Sequence, residues 1–471
     1  MLLKKSFKST IIVKPNQKKG LKMADLNRRD ALKLFAATTV ALSATTSLNA
    51  QQIAKNKSIK SRILIIGAGL AGISLAARLR SELPNAKITL VDKDEIFYYQ
   101  PGFTLIAAGI YTTDDVVFQK SDYIPDGVEW IKQNVISLSP STNIVRFQDG
   151  TNHSYDYLVL ATGVEYDFET IQGLKNEDVL NDTNISSVYL LNSSIKTNEL
   201  MQKLANKGGV GLFCENKTPM KCSGVNKKVM MLSEDRARLA NNRDKVSINL
   251  YSGGAKTFSS SVYAKVMEQM FEQRDINYKL NHQIIAVDKA RNTAIFEHTM
   301  KYKENGQNKI VTEQIEAKFD WLHVVPRQRA ALMYKEAGLS VTNGDTDGNW
   351  ISVNKETLQS TQFKNIFAIG DICGFPNGKT GASIRKMYPK LATNLINVIK
   401  GLEPSEKYDG YTACPLVTRY GKAVMVEFNW SKKPTPSMPC FSATRESYLN
   451  WFIKLNLFKP MVMQGMLRGL V

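Results

Sequence analysis

Residues 62–92 carry the feature that most restricts what this chain can fold into. An unbroken apolar run, Arg62-Ile63-Leu64-Ile65-Ile66, feeds straight into GAGLAG. A segment ISLAARLRSEL follows, and then Lys87-Ile88-Thr89-Leu90-Val91, ending at Asp92. The first run predicts a buried strand, the middle segment a helix, and the last run a second strand. Gly67, Gly69 and Gly72 stand at the G-x-G-x-x-G positions. The first glycine makes the tight turn, the second lets the backbone approach a pyrophosphate, and the third lets the helix pack closely. An acid about 20 residues on takes a ribose hydroxyl, the role open to Asp92. All the parts occur in order, so the chain is expected to be α/β with a dinucleotide at this first turn.

A length of 471 residues allows two or three domains, and 43% hydrophobic content allows a sizeable core. The formal charge of +19 is concentrated at the start, where residues 1–33 hold ten Lys or Arg against Asp25 and Asp30. No Arg-rich run with interleaved aromatics occurs in the remainder. The surplus suits an anionic lipid surface or plain solvation, and no nucleic acid partner is expected.

Asn27-Arg28-Arg29-Asp30-Ala31-Leu32-Lys33-Leu34-Phe35 is a twin-arginine pattern, followed by AATTVALSATTSLNA up to Ala50. That stretch is too short and too rich in Thr and Ser for a membrane span. Residues 1–50 are therefore expected to be a removable export signal, starting at Met23 and cut after Ala44 or Ala50. Twin-arginine export carries folded protein to the periplasmic face of the inner membrane, where disulfides persist.

Two later segments extend the first motif. YDYLVLATG is a strand running into a turn at Thr162 and Gly163, and NIFAIGD is a late strand ending at Gly370 and Asp371. In this order the three pieces resemble, over roughly residues 60–400, the pyridine nucleotide-disulfide oxidoreductase superfamily. The resemblance implies FAD as cofactor, with Asp371 holding its ribityl chain. A second nucleotide unit should then show its own glycine motif near residue 210. Instead Gly208 and Gly209 precede the strand, which runs into ENKTPMKCSG with no cradle for a pyrophosphate. A nicotinamide donor is not expected, and electrons enter from a species that reacts with thiols. The expected architecture is two Rossmann-like dinucleotide-binding domains, the first FAD-bound and the second degenerate. The first spans 60–165 and 320–400, the second 166–319, and a C-terminal region 401–471 follows.

Cys222 lies in Lys221-Cys222-Ser223-Gly224, and Cys373 follows Gly370-Asp371-Ile372. KTPMKCSGVNKKVMMLSED, YYQPGFTLIAAG and KYDGYTACPLVTRYGKAVMVEF resemble the sulfide:quinone oxidoreductase family, its mitochondrial-type branch in particular. The resemblance implies that Cys222 and Cys373 form the catalytic redox pair. It sets Gln100 in a loop near the flavin, and Gly370, Asp371 and Lys379 at its isoalloxazine and ribityl end. Hydrogen sulfide is then the substrate. Hydrosulfide opens the disulfide, leaving a persulfide and a thiolate, an electron pair passes to the flavin, and sulfane sulfur leaves to sulfide or a thiol. Lys221 is a candidate for lowering the Cys222 pKa. The Gly-Asp-x-Cys spacing departs from the mitochondrial-type branch and matches the flavoprotein subunit of flavocytochrome c sulfide dehydrogenase. A cytochrome c therefore stands as the alternative partner to quinone. A type II NADH dehydrogenase shares the fold but needs the missing glycine motif.

Cys214 ends an apolar strand and reads as a buried small hydrophobe, while Cys414 and Cys440 adjoin no flavin segment. His153, His282, His298 and His323 make no metal pattern, no metal is expected, and His323 reads as structural. Residues 447–471 set Trp451, Phe452, Phe458, Met461 and Met463 among Lys454, Lys459 and Arg468. One reading is an amphipathic hairpin anchoring a monotopic protein to the membrane surface, its charges reaching headgroups. The other is a helix pair docked on the protein's own core. On the first reading the acceptor is quinone, with Phe375, Tyr388 and Tyr411 the candidate aromatics around it. A homo-oligomer is compatible with the sequence.

Overall fold

The structure, a computed structural model, describes residues 56–471 apart from Asn305, Pro376 and 439–441. The expected export signal over 1–50 and Cys440 lie outside the described residues.

From Arg62–Ile66 (β1) the chain turns through Gly67, Ala68 and Gly69 into Leu70–Glu82 (α1) and returns along Lys87–Val91 (β2). Val128–Ile131 (β3) and Tyr157–Leu160 (β4) extend this sheet on either side. All pairings are parallel, with Ile63 opposite Ile88 and Leu64 opposite Leu158. Parallel strands covered on both faces need continuous apolar runs, and Ile63, Leu64, Ile65 and Ile66 are all buried.

Glu165–Asp167 (β5) leads out to a second parallel sheet. Its first members are Ile185–Ser186 (β6), Gly209–Glu215 (β7), Val246–Ser252 (β8) and Asn277–Leu280 (β9). Leu191–Lys207 (α2), Val225–Leu239 (α3) and Ser261–Gln273 (α4) connect them. An antiparallel ribbon of His282–Asp288 (β10), Thr293–Glu304 (β11) and Gln307–Lys318 (β12) precedes Trp321–Val324 (β13). β13 inserts between β6 and β7, giving the order β6-β13-β7-β8-β9. Arg327–Arg329 (β14) then pairs antiparallel with β5, stitching the outgoing and returning crossings together. Ile366–Ala368 (β15) rejoins the first sheet beside β4, for an order β15-β4-β1-β2-β3. Gly381–Ile399 (α5) packs on α1, and the hairpin Thr412–Arg419 (β16) and Lys422–Phe428 (β17) lies against α3.

The tail divides into two parts. Tyr448–Asn456 (α6) leaves Tyr448, Leu449 and Phe452 exposed, together with Leu457 beyond it. Val462, Met463, Met466 and Leu467, in contrast, are buried in the same core as the first sheet. Tyr388 on α5 hydrogen-bonds both the C=O and the N–H of Val471. Of the two readings of 447–471, the docked one describes its second half, which is core. The reading of Lys454 is corrected. It is 2% exposed and donates to Pro101 O at 2.9 Å instead of reaching outward. Among the described residues no helix is long and apolar enough to cross a membrane.

Candidate active site

The turn after β1 is pressed against its neighbours everywhere except at one point. A Cβ on Gly67, whose φ is +103°, would lie 2.6 Å from Ala161 O, and one on Gly72 would lie 1.8 Å from Gly67 O. A Cβ on Gly69 would meet nothing within 4 Å. The clear surface therefore lies over Gly69, at the N-terminus of α1, where the first N–H groups have no intrahelical acceptor. A pyrophosphate fits that geometry. Asp92 at the end of β2 accepts from Ala68 N–H at 2.8 Å and pairs with the buried Lys120 at 2.8 Å. Thr162 Oγ1 lies 3.1 Å from Tyr334 OH, and Gly163 beside it has φ +71°.

Further along, Asp371 follows Gly370 after β15. Its Oδ1 is sealed from solvent and has no hydrogen-bond partner among the described residues. Burial raises its pKa, against the opposing charges of Lys221 and Lys379. A buried acceptor without a donor calls for one from elsewhere, and a ribityl hydroxyl would supply one. With the Gly69 surface, this makes the residues present a fit for FAD. Lys379 Nζ donates to Asp371 O at 2.6 Å and Cys373 O at 2.9 Å, and lies 3.7 Å over the Trp350 ring. Burial lowers its pKa to about 8. Gln100 Oε1 accepts from Lys221 Nζ, which ties the YYQPGF loop to the cysteine loop.

That cysteine loop, 216–224, joins β7 to α3. Cys222 sits in it at φ +49°, a left-handed conformation that costs a non-glycine residue roughly 1–2 kcal/mol. Cys222 N–H donates to Lys379 O at 2.9 Å, and Cys222 O accepts from Val225 N–H at 2.8 Å. Its Sγ lies 3.7 Å from Cys414 Sγ on β16, and Lys228 Nζ on α3 stands 3.5 Å from it. Gly224 makes this possible, since a Cβ there would lie 2.7 Å from Cys414 Sγ. Hydrogen bonding from Cys414 and then the Lys228 charge hold the Cys222 thiol well below its ordinary pKa, against burial. The hydrogen bond to Cys222 and burial push Cys414 up. Burial draws Lys228 down, but the two sulfurs outweigh it and the net shift is upward. Burial and the neighbouring Lys228 lower Lys454 to about 7.

The sequence pairing of Cys222 with Cys373 is therefore corrected. Among the described residues Cys414 is the sulfur within hydrogen-bonding reach of Cys222. Cys373 is wholly buried in the core of the first sheet, and burial raises its thiol to about 12. Lys221 points to Gln100 and the Tyr166 ring, so the lysine facing the thiol is Lys228. Sequence reasoning missed Cys414, Lys228 and Lys454. TACPLV carried a cysteine in plain view, but nothing local marks a buried strand residue as reactive. Lys228, in the first turn of α3 just after the cysteine loop, was the more legible signal.

Where a second cradle would be, the space is filled. Lys227 in the first turn of α3 reaches back to Glu215 at the end of β7, with Nζ 2.7 Å from both carboxylate oxygens; they are 2% and 5% exposed. His323 on β13 is also buried. Its Nε2 accepts from Val188 N–H at 3.1 Å, so Nδ1 carries the proton toward Asn226 Oδ1 at 2.6 Å, and burial lowers its pKa to about 3. Phe375, Tyr388 and Tyr411 are core residues as well. Phe375 packs on Tyr408 and Trp430, Tyr388 holds Val471, and Tyr411 donates to Glu427 at 2.7 Å.

The chain resembles known proteins over most of its length. The family profile of pyridine nucleotide-disulphide oxidoreductases matches residues 61–209. A mitochondrial sulfide:quinone oxidoreductase of Dictyostelium discoideum is 34% identical over 409 residues, covering 87% of this chain and 86% of the relative. The Mus musculus protein of the same name is 31% identical, covering 86% of each chain. The solved structure of the sulfide:quinone oxidoreductase from Aquifex aeolicus superposes with a TM-score of 0.69 at 21% identity. It covers 87% of this chain and 92% of that one, a likeness of fold.

Proposed function

This chain belongs to the sulfide:quinone oxidoreductase family, and on that premise we propose that it oxidises hydrogen sulfide through Cys222 and Cys414 and delivers the electrons to a membrane quinone. The observation that carries the reading is the 3.7 Å approach of the two sulfurs, with Lys228 Nζ 3.5 Å from Cys222. Oxidised, the pair is a disulfide. Hydrosulfide attacks the Cys414 sulfur, forming a new S–S bond there, and the old bond breaks with Cys222 leaving as thiolate. The leaving charge then arises where the Lys228 ammonium faces it. A sulfide or thiolate nucleophile takes the outer sulfur from Cys414, which leaves as a second thiolate. Closing the disulfide again releases two electrons. FAD, when bound in the cradle above Gly69 and Asp371, supplies the two-electron carrier between the thiols and the quinone. In sum, sulfide, the sulfur acceptor and quinone become a persulfide or polysulfide and quinol.

The membrane side of the reading rests on α6. Tyr448, Leu449, Phe452 and Leu457 are exposed together, and each large apolar side chain buried in lipid contributes about 1.5–3 kcal/mol. The twin-arginine pattern at Arg28 and Arg29 supports export to the periplasmic face. A cytochrome c acceptor drew its support from the export signal and from the spacing of Cys373, which is buried in the core of the first sheet.

The test is anaerobic titration of the FAD-loaded protein. Sulfide should bleach the flavin absorbance and quinone restore it, while NADH leaves it unchanged. Bleaching by NADH as fast as by sulfide sinks the reading. Replacing Tyr448, Leu449, Phe452 and Leu457 by serine should free the protein from liposomes and leave sulfide bleaching intact.

A further inference from the structure

Cys222 adopts a backbone conformation that its own side chain does not favour. Among the described residues, most others with positive φ outside glycine are Asn or Asp, which tolerate that region. The cysteine must be held there by its surroundings. The loop's own hydrogen bond, Val225 N–H to Cys222 O, fixes only the far side.

The near side is held by two side chains from distant parts of the chain. Gln328 Oε1 accepts from Lys221 N–H at 2.8 Å, and Tyr189 O–H donates to Lys221 O at 2.8 Å. Both side chains are buried, Gln328 on β14 and Tyr189 between β6 and α2. With Cys222 N–H on Lys379 O, every polar group of the backbone from Lys221 N to Cys222 N is tied to a different element. Among the described residues this is the hydrogen bond that the Gln328 side chain makes, and its Nε2 is buried without a partner.

We propose that Tyr189 and Gln328 are positioning residues for the thiol pair. They hold the Lys221–Cys222 peptide so that Cys222 stays left-handed and its sulfur stays between Cys414 and Lys228. The inference rests on the Cys222–Cys414 relay described above. Without the clamp the peptide relaxes toward ordinary backbone angles and carries the sulfur away from both neighbours.

The experiment uses the full FAD-loaded protein and three variants. Tyr189→Phe deletes one oxygen and keeps the ring beside Tyr166, whose centroid is 5.4 Å away. Gln328→Met removes the acceptor at similar volume, and Gln328→Glu keeps an acceptor oxygen at the same reach. The Cys222–Cys414 dithiol–disulfide equilibrium is read in glutathione buffers. The pH midpoint of Cys222 alkylation by iodoacetamide is read on the reduced protein. Tyr189→Phe and Gln328→Met should move the equilibrium toward dithiol by ~10-fold or more and raise the alkylation midpoint, with Gln328→Glu remaining near wild type. Wild-type values of both readouts in Tyr189→Phe and Gln328→Met overturn the proposal. So does a Gln328→Glu variant as impaired as Gln328→Met. If wild-type protein forms no Cys222–Cys414 disulfide, the relay fails. The alkylation midpoint alone then decides the clamp, an unchanged value in Tyr189→Phe overturning it. Tyr189→Phe changes least, so it remains decisive should a Gln328 variant fail to fold.

Discussion

The β1–α1 and β7–α3 connections occupy the same place in two similar sheets and do opposite things. Each follows the third of five parallel strands and ends at a helix N-terminus. Between β1 and α1 the chain uses Gly67, Ala68 and Gly69, which leaves the helix end open to an anion. Between β7 and α3 it uses the longer loop 216–224, and the helix end is closed by Lys227 and Glu215. The loop so lengthened carries Cys222 across to β16. A helix N-terminus above a sheet is an anion site only while the backbone lies open to approach. Filled by an internal ion pair, the same scaffold displays a thiol.

The largest effects should fall on the thiol side of this comparison. Cys222→Ser and Cys414→Ser should each slow flavin reduction by sulfide at least ~10³-fold, with FAD absorbance retained. Cys373→Ala should keep most of the activity. A Cys373→Ala protein as inactive as Cys222→Ser would return the pairing to the one the sequence suggested.

On the cradle side, Gly69→Val should yield a folded protein without FAD, since its side chain enters the one clear space in the turn. Gly72→Val should fail to fold, because its Cβ has only 1.8 Å to Gly67 O. Circular dichroism and the 450 nm region of the absorbance spectrum separate the two outcomes. A yellow Gly69→Val protein would move the cofactor elsewhere.

The plug offers a sharper test of the second connection. Glu215→Gln leaves the Lys227 ammonium buried and uncompensated, and should cost about 3–5 kcal/mol in urea denaturation. It should bring no affinity for NADH, because the loop still lacks glycines where a pyrophosphate would approach. Tight NADH binding by this variant would show that the ion pair alone had closed the site.

A further effect builds up gradually with acid. His323 sits neutral beside α3 with a pKa lowered to about 3, against an ordinary 6.5. Its contribution is therefore fully present above pH 6.5 and is lost as the pH falls toward 3, since only the unfolded chain takes the proton. The slope should approach about 1.4 kcal/mol per pH unit. His323→Gln should flatten it in thermal melts across that window, and an unaltered slope would assign the acid sensitivity to other groups.

The first connection was legible because its signals are local. GAGLAG, the flanking strands and Asp92 lie within a single short segment, and the turn sterics follow from residue type. Cys222 was legible for a related reason, since the short segment KTPMKCSGVNKKVMMLSED carries the family resemblance on its own. Its partner was not. Cys414 lies in an apolar strand, and only the packing of β16 on α3 brings it to Gly224. Cys373 seemed the better partner because it follows a flavin-proximal motif, yet proximity in sequence to Asp371 says nothing of where its sulfur points. Lys454 misled through composition. A lysine among aromatics in a terminal helix reads as a cation at a surface, whereas tertiary packing turns it inward to Pro101.

The route of the chain between the two sheets sets an order of assembly. β6 through β13 are continuous in sequence apart from the ribbon, so the second sheet has all its strands before β15 leaves the ribosome. The first sheet waits, with β4 as an open edge, until β15 arrives, and its core stays incomplete until Val462–Leu467 dock. Such distant pairings fold slowly, and an unpaired edge strand invites association with other chains. Newly made protein is therefore expected to be most open to association through its amino-terminal half, and FAD capture is expected to come late in folding.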